Sequence, residues 1–142
     1  MPLFGKRQPA TSSGLSFRAL GQSGARATRD LETFPSPPGI TWITFTCDEV
    51  TSFCPVTQQP DFSTVVITYQ PDTLCIESKS LKLYLQSFRD EGIFCEGLAQ
   101  QICNDIVRAT RPFEVSVSVH QHKRGGIETT AVAEWSDPTG EA

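Results

Sequence analysis

The stretch FEVSVSVHQ, residues 113–121, alternates without a break: Phe113, Val115, Val117 and Val119 fall on one face, and Glu114, Ser116, Ser118 and His120 on the other. A period of two over this length marks a strand that buries one face and wets the other. Lys123-Arg124-Gly125-Gly126 comes next as a turn signal, and residues 127–135 supply the returning strand.

Upstream of Pro112 the period becomes helical. Leu98, Ile102 and Ile106 recur at i, i+4 and i+8, and before them Leu81, Leu85 and Phe88 at i, i+4 and i+7, with Asp90 to Gly92 separating the two helices. Further back, STVVITYQ (63–70) and TLCIESKS (73–80) read as strands joined in a hairpin through Pro71 and Asp72. GITWITFTC (39–47) is another strand, and a turn-prone stretch from Asp48 to Pro60 leads out of it. The order β-β-β-α-α-β-β predicts an α+β fold, an antiparallel sheet with a pair of helices on one face. There is no βαβ alternation and no G-x-G-x-x-G, so a dinucleotide would not be held by a Rossmann turn.

Residues 1–38 hold five of the ten prolines and no apolar period, so they read as a flexible basic arm ending at SPPG, with the folded domain spanning 39–142. The arm carries a net +3 and the rest of the chain −7, a poor balance for gripping a phosphate backbone, so no direct nucleic-acid partner is expected. A total of 142 residues suits one domain. With 38% hydrophobic residues, no run long enough to span a membrane and no signal-like apolar stretch near the start, a cytoplasmic chain without a membrane partner is expected.

Five cysteines, an odd number with no C-x-x-C pair, make a disulfide framework improbable, and Cys47, Cys75 and Cys103 read as small buried hydrophobes. Cys54 differs: it lies in the polar loop FCPVTQQPDF (53–62), directly before Pro55 and seven residues ahead of Asp61. A thiol must lose its proton to act as a nucleophile, and a nearby carboxyl can move that proton, although a loop cysteine and a strand-opening aspartate with no such role fit the same spacing. A second group, ESKSLKLY (77–84), opens the first helix, where Lys79 and Lys82 either face a phosphate or line a solvated surface. Arg124 beside Gly125 and Gly126 would complete an anion site. Third, Phe94-Cys95-Glu96 sets an aromatic face, a thiol and a carboxylate side by side, as recognition of a purine-like ring requires. His120 and His122 form an H-x-H too weak to assign a metal, and none is expected.

Taken together these motifs resemble the QueF family of NADPH-dependent 7-cyano-7-deazaguanine reductases, in their short single-module form, over residues 40 to about 135. ESKSLKLY fits the family's diagnostic motif at every position, FCPVTQQPDF matches its nucleophile loop, and the spacing from Cys54 to Glu77 agrees. The resemblance implies a tunnelling fold that assembles into stacked rings with active sites at subunit interfaces. It implies reduction of the nitrile of 7-cyano-7-deazaguanine to a primary amine with NADPH as cofactor, on the way to the modified tRNA base queuosine. Cys54 would be the nucleophile forming a covalent thioimide and Asp61 the proton donor. Ile76, Glu77, Ser78, Phe94, Cys95 and Glu96 would bind the substrate, and Lys79, Lys82 and Arg124 the NADPH phosphates. Cys95 departs from the pattern, since the family commonly has histidine before the glutamate, and a thiol is a poor replacement for an imidazole in hydrogen bonding. Two other readings stay open: a zinc hydrolase like the GTP cyclohydrolases of the same fold, and a noncatalytic purine-binding protein.

Overall fold

A computed structural model of the chain describes residues 28–140. Its elements run β1 (Thr33–Pro35), β2 (Ile43–Phe53), β3 (Pro60–Gln70), β4 (Leu74–Ile76), α1 (Ser78–Gln86), α2 (Cys95–Thr110), β5 (Glu114–Arg124) and β6 (Ile127–Ser136). Four strands form one antiparallel sheet in the order β2-β3-β5-β6. The helices lie on one side of it, α2 against β5 and β6 and α1 against β2, so the architecture is the expected α+β class.

The alternation does the sorting. Val115, Val117 and Val119 of β5 and Val65, Ile67 and Tyr69 of β3 are buried and meet Leu98, Ile102 and Ile106 of α2 in one core. Ser116, Ser118, Thr64 and Thr68 occupy the other face and stay half-exposed. Leu81, Leu85 and Phe88 are buried as their spacing requires. Gly125 and Gly126 both adopt positive φ, 62° and 81°, which a two-residue hairpin turn demands and a side chain would oppose.

Two expectations change. The hairpin through Pro71 and Asp72 does not form: β4 pairs antiparallel with β1 in a separate two-stranded sheet, Thr33 facing Ile76 and Pro35 facing Leu74. The Tyr69 hydroxyl accepts the Ile76 N–H at 2.8 Å, fixing the chain where it leaves the main sheet. The boundary at residue 38 also falls too late. Leu31 is fully buried in the core, Glu32 and Thr33 are nearly so, and Arg29 lies over the Phe88 ring, so residues 28–35 belong to the domain. The prolines at 35, 37 and 38 come at the end of this edge strand and after it rather than preceding the fold, which is why composition alone mislocates the boundary. The rest of the predicted arm, residues 1–27, lies outside the described residues.

Two bulges aim the ends of the hairpins. In β2 the register shifts between Cys47 and Val50, so that Asp48 and Glu49 together oppose Thr64. In β5 it shifts between Gln121 and Arg124, so that His122 and Lys123 together oppose Glu128. Each extra residue reverses the facing of the chain beyond it: Val50, Ser52 and Cys54 turn to the helix side, and Arg124 shares the side of Gln121. Leu31→Ala should lower unfolding free energy in urea by about 2–5 kcal/mol, the cost of emptying a filled core position; a change within about 0.5 kcal/mol, typical of exposed sites, would place Leu31 outside the core.

Candidate active site

Asp61, Ser63, Val65, Ile67 and Tyr69 form one row on the helix side of β3, and all are buried. The first two are polar, so the sheet's apolar face ends in a polar patch that Ser52, paired with Asp61 across β2, also joins. Cys54 comes immediately after β2. Its N–H donates to the Gln59 carbonyl at 2.9 Å and its carbonyl accepts from the Gln58 N–H at 2.9 Å, closing a tight loop in which Gln58 takes a left-handed φ of 63°. On the other side, the Phe53 N–H donates to the Glu91 carbonyl and the Phe53 carbonyl accepts from the Ile93 N–H, at 2.9 and 3.0 Å. The segment between the helices is thereby fastened to the end of β2, and the Cys54 loop lies next to the stretch that leads into α2.

The Cys54 thiol is lowered to about 7, first by the Thr57 hydroxyl, then by the Thr57 and Val56 N–H groups, with Arg124 adding to them against the cost of desolvation. The other resolved thiols move the opposite way. Burial raises Cys47, Cys95 and Cys103, with added repulsion from Asp48, Glu96 and Glu134 respectively. Arg124 forms an ion pair with the buried Asp61 carboxylate and lies within electrostatic reach of the Cys54 thiol, favouring its ionised form. Arg124 of β5 is thus paired with Asp61 of β3, at the end of the sheet where β2 leads into the Cys54 loop.

The other sequence-predicted residues are less concentrated. Glu77 caps α1, its two carboxylate oxygens accepting the Lys79 and Ser80 N–H groups at 2.7 Å each, while its own N–H donates to the Glu32 carbonyl. Glutamate is an uncommon residue at this capping position, which explains why pattern reading missed the role. Ile76 is buried, and Ser78 and Lys82 are exposed, whereas Lys79 is half-buried. Ser78 and Lys82 edge a groove of about 310 Å³ between β2 and α1, floored by Phe45, Val50, Leu81 and Leu85, with Asp48 and Glu49 on its opposite rim. Phe94 and Glu96 stand exposed at the start of α2. Cys95 does not join them: it is buried in the core, and its thiol points to the Val119 carbonyl at 3.4 Å. Arg124 is paired with Asp61. His120 and His122 bond to Thr130 and Thr64, and among the described residues no three His, Cys, Asp or Glu side chains gather as a metal site would need.

The family model described as QueF-like protein matches residues 60–139. The NADPH-dependent 7-cyano-7-deazaguanine reductase of Alkalilimnicola ehrlichii is 48% identical over 113 residues, covering 78% of this chain and 88% of that protein. Those of Anaeromyxobacter sp. strain Fw109-5 and Frankia casuarinae are 49% identical over 110 residues and 45% over 117, covering 76% and 82% of this chain and 90% and 94% of theirs. Among solved structures, the crystal structure of the apo form of the archaeosine synthase QueF-Like superposes with a TM-score of 0.64 at 26% identity, covering 70% of this chain and 94% of that one. With its matched region running from β3 through both helices to β6 and taking in Asp61 and Arg124, the chain belongs to the QueF family.

Proposed function

We propose that the chain is an NADPH-dependent 7-cyano-7-deazaguanine reductase acting in queuosine biosynthesis, with Cys54 as its nucleophile and Asp61 as its proton donor. The observation that carries this reading is a thiol lowered to about 7 that follows, two residues on, the Ser52 position paired with the buried Asp61 at the end of the sheet. Family membership and the names of the relatives support the choice of substrate and cofactor.

A nitrile carbon accepts hydride poorly until its nitrogen is protonated. Cys54 as thiolate adds to that carbon, the proton its thiol lost passes through Asp61 to the nitrogen, and a covalent thioimide results. NADPH, when bound, supplies the hydride for the reduction. The groove beside α1 suits such a group, because its apolar floor can take a ring face while Ser78 and Lys82 lie at the edge where a phosphate would bind, away from Asp48 and Glu49. Lys79, three residues before Lys82 on the same helix, would assist. Glu96 and Phe94 would meet the deazaguanine base from the start of α2, with Ile76, Glu77 and Ser78 on the α1 side. Phe94, 55% exposed, and the exposed Phe62 leave this end of the molecule open to a neighbouring subunit. Assembly into stacked rings, with a second copy closing the site, is the arrangement that this openness and the family resemblance support.

The test is NADPH oxidation in the presence of 7-cyano-7-deazaguanine, with the amine product identified by mass. Cys54→Ala should abolish turnover, and Asp61→Asn should slow it about 10²- to 10⁴-fold while leaving base binding within a few-fold of wild type. Tight base binding without turnover in the wild-type protein would instead support a noncatalytic binding protein. A pH profile checks the thiol independently. Iodoacetamide should modify Cys54 before the raised Cys47, Cys95 and Cys103, and its rate should fall about tenfold per pH unit below 7, where the thiolate is lost. A half-maximal rate near pH 9 would contradict the lowered thiol.

A further inference from the structure

The sequence motifs place Arg124 at a cofactor phosphate, yet its contacts lie elsewhere. One guanidinium nitrogen, Nη1, donates to Asp61 Oδ1, and its charge is felt at the Cys54 thiol. The β5 bulge sets this aim, because without the extra residue at His122–Lys123 the side chain would leave from the opposite face of the sheet. The charged and titratable groups that act on Cys54 or Asp61 come from separate elements: Arg124 from β5 is paired with Asp61 of β3 and acts on the thiol, and Cys95 of α2 lies within electrostatic reach of Asp61. Arg124 supplies the positive charge in this group. A thiolate and a carboxylate brought together repel, and a guanidinium between them offsets the repulsion while its rigid planar fork fixes the carboxyl plane. With Nη1 on Oδ1, the second carboxylate oxygen remains for proton transfer.

We propose that Arg124 is a positioning residue for the first chemical step, holding the Asp61 carboxyl in reacting register with the Cys54 sulfur before any cofactor binds. The proposal rests on the nitrile reductase reading for its substrate. The step balances without a reductant. The S–H bond breaks, a C–S bond forms at the nitrile carbon, one C≡N π pair becomes an N–H bond with the proton carried by Asp61, and the thioimide has the summed composition of thiol and nitrile. An effect of Arg124 on this step therefore cannot be an effect on NADPH.

Wild type, Arg124→Gln and Arg124→Lys are mixed with 7-cyano-7-deazaguanine in the absence of NADPH, and adduct growth is monitored by intact mass. Arg124→Gln should slow it about 10- to 100-fold, as misplacement of reacting groups does, and Arg124→Lys should recover part of the loss. In an Asp61→Asn background, Arg124→Gln should add little, since the two residues act as one unit. Iodoacetamide modification of Cys54 at pH 6.5 should fall about threefold to tenfold in Arg124→Gln. Unchanged adduct and alkylation rates, with only the KM for NADPH raised, would overturn the proposal and return Arg124 to the phosphates. No adduct in wild type, with alkylation still dependent on Arg124, would overturn the substrate reading while supporting the contact. Thermal melting of the Gln and Lys variants near that of wild type secures the comparison.

Discussion

A regular strand shows its side chains to alternate faces, and the site exists because two strands break that rule once each. Without the pair Asp48–Glu49 opposing Thr64, the row Phe45, Cys47 would continue through Glu49 and Thr51, and Cys54 would face away from the helices. Without the pair His122–Lys123 opposing Glu128, Arg124 would lie on the far side from Asp61. Asp61 needs no such correction, since β3 alternates evenly from Asp61 to Tyr69. One regular central strand flanked by two irregular neighbours brings thiol, carboxylate and guanidinium to a common end of the sheet. The core holds this arrangement in place: Val65, Ile67, Val117 and Val119 cannot slip by a residue without moving to the solvent side.

Much of this is legible in the chain itself. The alternation of residues 113–119 and the spacing of Leu98, Ile102 and Ile106 announce a strand and a helix whose apolar faces meet, and they do meet. Cys54 and Asp61 stand out because a polar loop gives a cysteine little to pack against. The features that stay hidden depend on partners distant in sequence. The Leu74–Ile76 strand looks like the second arm of a hairpin, but its pairing with Thr33–Pro35 is decided by a segment some forty residues earlier whose prolines disguise it. Bulges leave no composition signal. The cap at Glu77 is hidden for a different reason, since the residue fills a role more often taken by Ser, Thr, Asp or Asn.

The division of labour among the cysteines comes from the same geometry. Cys47 and Cys103 pack with the core, and Cys95, despite its place in the Phe94-Cys95-Glu96 triplet, turns its sulfur toward the Val119 carbonyl beneath the helix start. Its neighbours on either side are exposed, as the first turn of a helix lying on a sheet dictates: one residue enters, and the flanking ones do not. The departure from histidine at position 95 therefore concerns a side chain lodged against β5, apart from the surface that Phe94 and Glu96 present.

The fastening of Phe53 to Glu91 and Ile93 joins parts of the chain nearly forty residues apart. Contacts of such separation are costly in loop-closure entropy and form after local hairpins and helices have gathered. The hydrogen bonds that lower the Cys54 thiol come from a loop that this fastening holds in place. In the unfolded chain the thiol is an ordinary one, mostly protonated at neutral pH, and its lowered state belongs to the folded loop. A chain that has not yet formed this loop therefore offers electrophiles a less reactive sulfur, and the fold sharpens the selectivity of the chemistry.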